Sequence, residues 1–268
     1  MREYGIVGEH LSHTFSPKIY NMLFKRHNLK AVYKVLEISE NTFDFIVGDV
    51  TKNLSGFNVT IPYKSRIMGY LDSVSQDAME IGAVNVVDAE KRGFNTDWKG
   101  FMRSLKDVEL DGKYALVLGA GGAARAVCYA LKNMGLEIYI VNRTKEKAVS
   151  LAQKFDAKVG MPDFSKVSIV VNATPLGMYP NVGSRPEIEL SKFSRKCVVY
   201  DLVYNPRPTK FLKEARLLGL RTIDGFEMLV QQAILNLRIW SLDELVDDLV
   251  AKKDFKQLTK WFQKCRIE

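Results

Sequence analysis

Lys64 closes the stretch GFNVTIPYK, residues 56–64, where Phe57, Val59 and Ile61 alternate with Asn58, Thr60 and Pro62. That alternation predicts a strand with one buried face. Proline cannot donate to a strand ladder, so pairing should stop at Pro62 and leave Lys64 at the strand's exit. Two readings fit the lysine alone. It is a solvated residue at the start of a helix in KSRIMGYLD, or it is an amine aimed into a cleft from a fixed strand end. The other residues able to do chemistry are Asn85 in GAVNVV and Asn95-Thr96-Asp97 in RGFNTDWKG. An enzyme that moves a hydride to or from an alcohol carbon needs a group to take or give the hydroxyl proton. A lysine, an aspartate or a close pair of the two meets that need. Taken singly, Asp97 reads as the N-cap of a helix starting near Trp98.

A second constellation is Gly119-Ala120-Gly121-Gly122-Ala123-Ala124, which fits GxGxxA directly after the apolar strand KYALVL and at the opening of a helix. Gly119 permits the tight turn, Gly121 lets backbone approach a pyrophosphate, and the helix N-terminus offers N–H groups to it. An NAD site usually carries an acid at the end of the next strand, to accept from the ribose 2′-hydroxyl. Here EIYIV ends at Asn142-Arg143-Thr144. Arg143 suits a 2′-phosphate, Lys147 adds charge one turn on, and Thr144 both caps the next helix and donates to the phosphate. NADP is therefore the expected cofactor. The bland alternative is a capped helix start with a surface arginine.

Strand and helix patterns alternate along the whole chain, which predicts an α/β protein with parallel sheets. SPKIYNMLFKRHN reads as a helix with Ser16 as N-cap and Pro17 as its first residue. AVYKVLEIS and VNVVD read as strands, ENTFDFIVGDV and SQDAMEIGA as helices. AARAVCYALKNMG is a helix with Gly135 closing it. Two domains with a cleft between them are expected: an N-terminal α/β substrate domain, residues 1–97 completed by the helices of 225–268, and a Rossmann-type dinucleotide-binding domain, residues 98–224. Such clefts are where ligands sit.

Composition excludes several classes. The 268 residues are 47% hydrophobic and 26% charged, an ordinary soluble balance with enough chain for real cores. MREYGIVGEH is too short and polar for a signal core. The apolar run Tyr114–Leu131 contains Arg125 and three glycines, so it is a poor membrane span. Cys128, Cys197 and Cys265 are scattered and odd in number, which fits a reducing, cytoplasmic setting. His10, His13 and His27 form no metal-binding spacing. The net charge of +8 is dispersed. KRHNLK and AKKDFKQLTKWFQKCR read as solvated helix faces, the tail as a packed helix, and no nucleic-acid motif appears.

The stretches SHTFSP (12–17), NVTIPYK (58–64), GAVN (82–85), NTD (95–97), GAGGAARA (119–126), NRT (142–144), NATPLGM (172–178), DLVYNPRPT (201–209) and DGFEMLVQQA (224–233) together resemble the shikimate dehydrogenase family, in its order and spacing. The resemblance implies reversible reduction of 3-dehydroshikimate to shikimate with NADPH, in chorismate and aromatic amino acid biosynthesis. It implies a catalytic pair at Lys64 and Asp97. Thr14 and Ser16 would hold the substrate carboxylate, aided by Tyr204, and Asn85, Thr60 and Gln232 would bind ring hydroxyls. Cofactor contacts would fall on Gly119, Ala120, Gly121, Gly122, Ala123, Asn142, Arg143, Thr144, Lys147, Thr174, Met178 and Gly225. A carboxylate beside a lysine favours the ammonium. So two pictures stay open: a lysine tuned by desolvation, or a pair that titrates as a unit.

Three positions depart from the family's habit. Thr14 replaces a common serine, Trp98 replaces a common glycine after NTD, and Lys147 replaces a common arginine. Trp98 either packs at the hinge or narrows the cleft. Two rival functions follow: a quinate/shikimate dehydrogenase using NAD, and an idle nucleotide sensor with a partner-binding surface. The small-molecule substrate is the expected partner, with no nucleic acid and no membrane, and the N-terminal sheet edge suits a monomer or a homodimer.

Overall fold

The alternating pattern resolves into two six-stranded sheets in a computed structural model that describes residues 1–11 and 14–251, the side chains of 248–251 excepted. Ser12, His13, the tail read as a packed helix and Cys265 lie outside the described residues. The first sheet holds β1 (Arg2–Gly8), β2 (Ala31–Glu37), β3 (Gly56–Val59), β4 (Ser73–Val74), β5 (Val86–Asp88) and β6 (Arg92–Phe94), in the order β2-β1-β3-β5-β6-β4. It is mixed, not parallel as expected. β1 pairs in parallel with β2 and β3, whereas β5 runs antiparallel to both β3 and β6. A three-residue hairpin loop turns β5 back into β6. Lys91 takes φ 53 there, and Asp88 Oδ1 accepts the N–H groups of Glu90 and Arg92 at 3.1 and 2.8 Å.

Between these strands lie α1 (Ser16–Arg26), α2 (Phe43–Thr51) and α3 (Gln76–Ile81). The helix expected in KSRIMGYLD is a single 3-10 segment, Arg66–Tyr70. Ser16 does not cap α1. Phe15 holds the cap position with helical angles, and Ser16, buried beside the Tyr33 hydroxyl, is already inside the first turn.

The second sheet is parallel throughout: β7 (Tyr114–Leu118), β8 (Glu137–Val141), β9 (Lys158–Val159), β10 (Val167–Asn172), β11 (Val198–Asp201) and β12 (Arg221–Asp224). Its order, β12-β11-β10-β7-β8-β9, is doubly wound, with the topological switch between β7 and β10. The helices α5 (Gly122–Asn133), α6 (Lys145–Phe155) and α7 (Lys210–Leu217) cross over between its strands. β7 is apolar along its length because both faces are covered. No helix among the described residues is long and apolar enough to cross a membrane.

Two helices join the sheets. α4 (Asp97–Ser104) leaves the first sheet, and α8 (Phe226–Ile239) returns to it, followed by α9 (Asp243–Ala251). They cross closely because Gly100 has no side chain: a Cβ there would stand 2.9 Å from the Met228 carbonyl oxygen. Phe101 of α4 and Met228 of α8 bury themselves in the second sheet's core. At the far end of α8, Trp240 packs on Tyr4 and Tyr20, with ring centroids 5.0 and 5.1 Å away, and donates to the Val87 carbonyl. Burying one such side chain contributes roughly 1.5–3 kcal/mol. The end of the chain thus completes the core of its beginning.

Candidate active site

Lys64 is held before its side chain begins. Tyr63 is fully buried, stacked on Phe43 at 4.0 Å, and its hydroxyl donates to the Ile38 carbonyl. The Lys64 carbonyl accepts from Val84 N at 2.7 Å. With the backbone pinned on both sides, the side chain runs inward and Nζ meets Asp97 Oδ2 at 2.5 Å. The two side chains are only 13% and 9% exposed, so the solvated reading of Lys64 fails. An ion pair this sheltered from water is costly unless its remaining valences are satisfied.

On the aspartate's side a chain of amides and hydroxyls supplies them. Asp97 is not the cap of α4: Thr96 holds that position, and Asp97 is the first helical residue. Its backbone N–H donates to Asn95 Oδ1 and its Oδ1 accepts from Asn85 Nδ2 at 2.9 Å. Asn85 also donates to Thr96 Oγ1 at 2.9 Å and reaches Gln232 Oε1 at 3.4 Å, while its Oδ1 accepts from Thr96 N at 2.7 Å. Thr96 Oγ1 donates to Asn236 Oδ1, and Asn236 Nδ2 donates to Gln232 Oε1 and the Tyr20 hydroxyl. No buried side-chain nitrogen or oxygen among the described residues lacks a partner. Asn236 and Tyr20 escaped the sequence reading. The signal was there for Asn236: it lies four residues after Gln232 on one helix, so both face the same way.

Thr60 is half-buried with its N–H donated to the Val7 carbonyl, and Thr14 is half-buried with its N–H on the Leu11 carbonyl. Tyr204 packs edge-on against Phe15 at 5.6 Å, which brings it next to Ser16 in sequence. Burial pushes its hydroxyl up to about 12, so it remains a neutral donor. The loop that carries Tyr204 is anchored by Asp201, which accepts from Asn172 Nδ2, Val203 N and Thr209 Oγ1. Burial outweighs those three donors and pushes the Asp201 carboxyl up from 3.8 to about 6. The folded chain therefore keeps this proton longer than the unfolded chain. The resulting stability is complete below about pH 3.8 and is lost as pH rises through about 6, a loss of about 3 kcal/mol. Asp201→Asn is expected to flatten that part of the curve, read by urea unfolding at a series of pH values. An unchanged slope would mean Asp201 is ionised throughout.

The glycine turn follows β7 at the switch point. Gly119 takes φ +115, and a Cβ there would stand 3.0 Å from Ala173 and Thr174 at the end of β10. A Cβ on Gly121 would meet nothing within 4 Å, so open space lies before the start of α5. Thr174 is fixed through Asn172 Oδ1, and Met178 is exposed. Ala120 and Ala123 are half-buried along the turn. After β8, Arg143, Thr144 and Lys147 are exposed, and Asn142 donates to the Thr144 carbonyl. Thr144 occupies the cap position of α6 but its side chain makes no cap bond, contrary to expectation. A phosphate-bearing dinucleotide fits this surface: an open helix start, a bare backbone and an unburied guanidinium. Gly225 is packed against the Leu202 backbone at the start of α8.

Trp98 turns away from the pair. Its indole N–H donates to Asp77 of α3 at 3.0 Å, and its ring stands edge-on to Tyr129 of α5 at 5.1 Å. Of the two expectations, packing between the sheets is the one observed. No cluster of metal-ligating residues occurs among the described residues.

Residues 6–87 match the family model of the shikimate dehydrogenase substrate binding domain, and residues 102–176 that of shikimate/quinate 5-dehydrogenase. A shikimate dehydrogenase (NADP(+)) of Carboxydothermus hydrogenoformans is 42% identical over 253 residues, covering 88% of this chain and 90% of that one. The chain belongs to the shikimate dehydrogenase family. Among solved members, the Thermus thermophilus enzyme in complex with NADP(H) and shikimate superposes with a TM-score of 0.81 at 35% identity, over 90% of this chain and 93% of that one. The Listeria monocytogenes enzyme, in complex with shikimate and NAD, gives 0.78 at 29% identity over 93% and 96%. The family's two-domain architecture thus accommodates a mixed first sheet and a doubly wound second one.

Proposed function

We propose that this chain is an NADP-dependent shikimate dehydrogenase, interconverting 3-dehydroshikimate and shikimate on the route to chorismate and the aromatic amino acids. The observation that carries this reading is the sheltered Lys64–Asp97 pair, 2.5 Å apart and adjoining the glycine turn. Residues 1–97 with 225–268 form the substrate unit in this reading, and 98–224 the cofactor unit. NADP, when bound, supplies the hydride acceptor. The chain's own residues do the rest. Thr14, Ser16 and the neutral Tyr204 hydroxyl hold the substrate carboxylate. Thr60 binds a ring hydroxyl, and Asn85 and Gln232 reach others by giving up their long 3.4 Å mutual contact. The reacting hydroxyl passes its proton to the Lys64–Asp97 pair, whose orientation Asn85 fixes from the other side.

On the cofactor side, Gly119, Ala120, Gly121, Gly122 and Ala123 form the pyrophosphate turn, and Asn142, Arg143, Thr144 and Lys147 receive the 2′-phosphate. Thr174, Met178 and Gly225 border the nicotinamide end. Purified protein with shikimate should reduce NADP+ rapidly and NAD+ poorly, with quinate a weak substrate. The NAD arm is informative because a relative binds that cofactor. No turnover with any combination, from folded protein that binds NADPH, would favour the idle sensor. Arg143→Ala is expected to raise KM for NADP+ about 10–100-fold, since a charge-assisted bond to phosphate is worth roughly 1.5–3 kcal/mol. KM for NAD+ should barely move. Equal losses with both cofactors would remove Arg143 from phosphate recognition.

A further inference from the structure

The GxGxxA pattern accounts for Gly119, Gly121 and Ala124, and it leaves position 122 free. Nothing in the backbone demands glycine there either. Gly122 is the first residue of α5 and does not have a positive φ. Glycine is a poor helix former, so its presence needs another cause. Its surroundings supply one. A Cβ built on Gly122 would stand 3.2 Å from both Cβ and Cδ of Lys64 and 3.6 Å from its Cγ. Gly121, one residue earlier, meets nothing within 4 Å. Adjacent glycines thus face different neighbours: one looks onto open space, the other onto the lysine stem.

We propose that Gly122 is a positioning residue for the reaction: its bare backbone is the surface on which the Lys64 stem lies, and it sets where Nζ meets Asp97. The proposal rests on the reading of Lys64 as part of the proton-transfer pair. It gives the fourth glycine-turn residue a task on the substrate side besides its place in the pyrophosphate turn. The lysine stem is fixed at its root by Tyr63 and Val84 and at its tip by Asp97. A methyl at position 122 therefore pushes on the middle of a tether held at both ends. The stem must yield by a few tenths of an ångström, and Nζ moves with it.

The test compares Gly122→Ala with Gly121→Ala. Alanine suits a helix start, so Gly122→Ala is expected to fold with an unchanged or higher Tm. Its kcat should fall about tenfold, given that a ~1 Å misplacement can cost ~100-fold. KM for NADP+ and the Kd of NADPH, read by fluorescence, should change by a smaller factor than kcat, since the backbone N–H groups of the turn remain. Gly121→Ala should do the reverse, weakening NADPH while leaving kcat at saturation nearly intact. A second readout needs no turnover. Lys64 is labelled with an amine-acylating reagent in the cofactor-free protein, and its rate is followed by peptide mass spectrometry. That rate should change in Gly122→Ala and stay at the wild-type value in Gly121→Ala. If Gly122→Ala instead lost NADPH affinity with kcat and Lys64 labelling unchanged, the proposal would be overturned. Were the wild-type protein to turn over no substrate, the proposed function would fail on its own, and the labelling comparison would still decide the contact.

Discussion

Lys64→Ala is expected to lower kcat by at least ~100-fold, the lower end of what a positioned acid or base contributes. The argument is one of replacement. Among the residues brought to the pair, Lys64 is the only amine, and the amides and hydroxyl that surround its partner Asp97, from Asn85, Gln232 and Thr96, cannot accept and return a proton at neutral pH. Water entering the vacated space could do so only without the orientation that the pinned backbone provides. Asp97 stays in place, because Asn85 and the Asn95 side chain still hold it. KM for shikimate should therefore move less than kcat. Lys64→Met sharpens the test: it keeps a stem against Gly122 and removes only the amine. A folded Lys64→Ala enzyme, verified by its melting curve, with near-wild-type kcat would sink the role assigned to this lysine. The pH dependence of Asp97→Asn beside that of the wild type then separates a lone lysine from a pair acting as a unit.

Gly225→Ala is expected to cost about 3 kcal/mol or more, lowering Tm by roughly 6–12 °C in a chain of this size. A Cβ at 225 would stand 2.0 Å from the Leu202 carbonyl oxygen and 2.6 Å from its carbon. Both are backbone atoms, so no side chain can swing aside. Leu202 is itself tied down, donating its N–H to the Asn172 carbonyl at 2.9 Å. Either the exit of β11 or the start of α8 must shift. A shift of α8 carries Gln232 and Asn236 with it, and Asn236 holds Thr96, the residue before Asp97. Activity should fall along with stability. Gly48→Ala is the control: it is a helical glycine with nothing within 4 Å of its added methyl, and alanine there should be neutral or slightly stabilising. Equal melting temperatures for Gly225→Ala and wild type would show that the crossing tolerates movement.

The strong apolar patterns were legible in the sequence. KYALVL and SIVVN became β7 and β10, because a strand buried on both faces carries no ambiguity, and EIYIV became β8 with Ile138 and Ile140 buried in alternation. Short elements were not legible. β4 and β9 have two residues each, too few to show a period, and β6 with its turn at Lys91 reversed the sheet without a glycine to announce it. Caps were misread for a related reason. Ser16, Thr144 and Asp97 have the chemistry of capping residues, but tertiary partners or local geometry left the cap bonds unmade. Asp97 goes to Lys64, 33 residues away. That pair was suggested by the resemblance and not by spacing, since two residues this far apart share no local period. What no pattern conveyed was the depth of the amide network. Asn85 and Gln232 were expected to face substrate, yet Asn85 spends its bonds on Asp97 and Thr96, and Gln232 Oε1 accepts from Asn85 and Asn236.

The return of α8 to the first sheet has a consequence for the newborn chain. Tyr4 and Tyr20 emerge from the ribosome well before the Trp240 that covers them, which lies 220 residues after Tyr20. At about 5–20 residues per second, on the order of tens of seconds separate the two events. During that interval the aromatic face of the first sheet has no lid, while the residues that form the second sheet have already been made. The inner unit can therefore fold while its host is still waiting. The Lys64–Asp97 pair, which leans on Asn236 through Thr96, becomes fully braced only after α8 has been made.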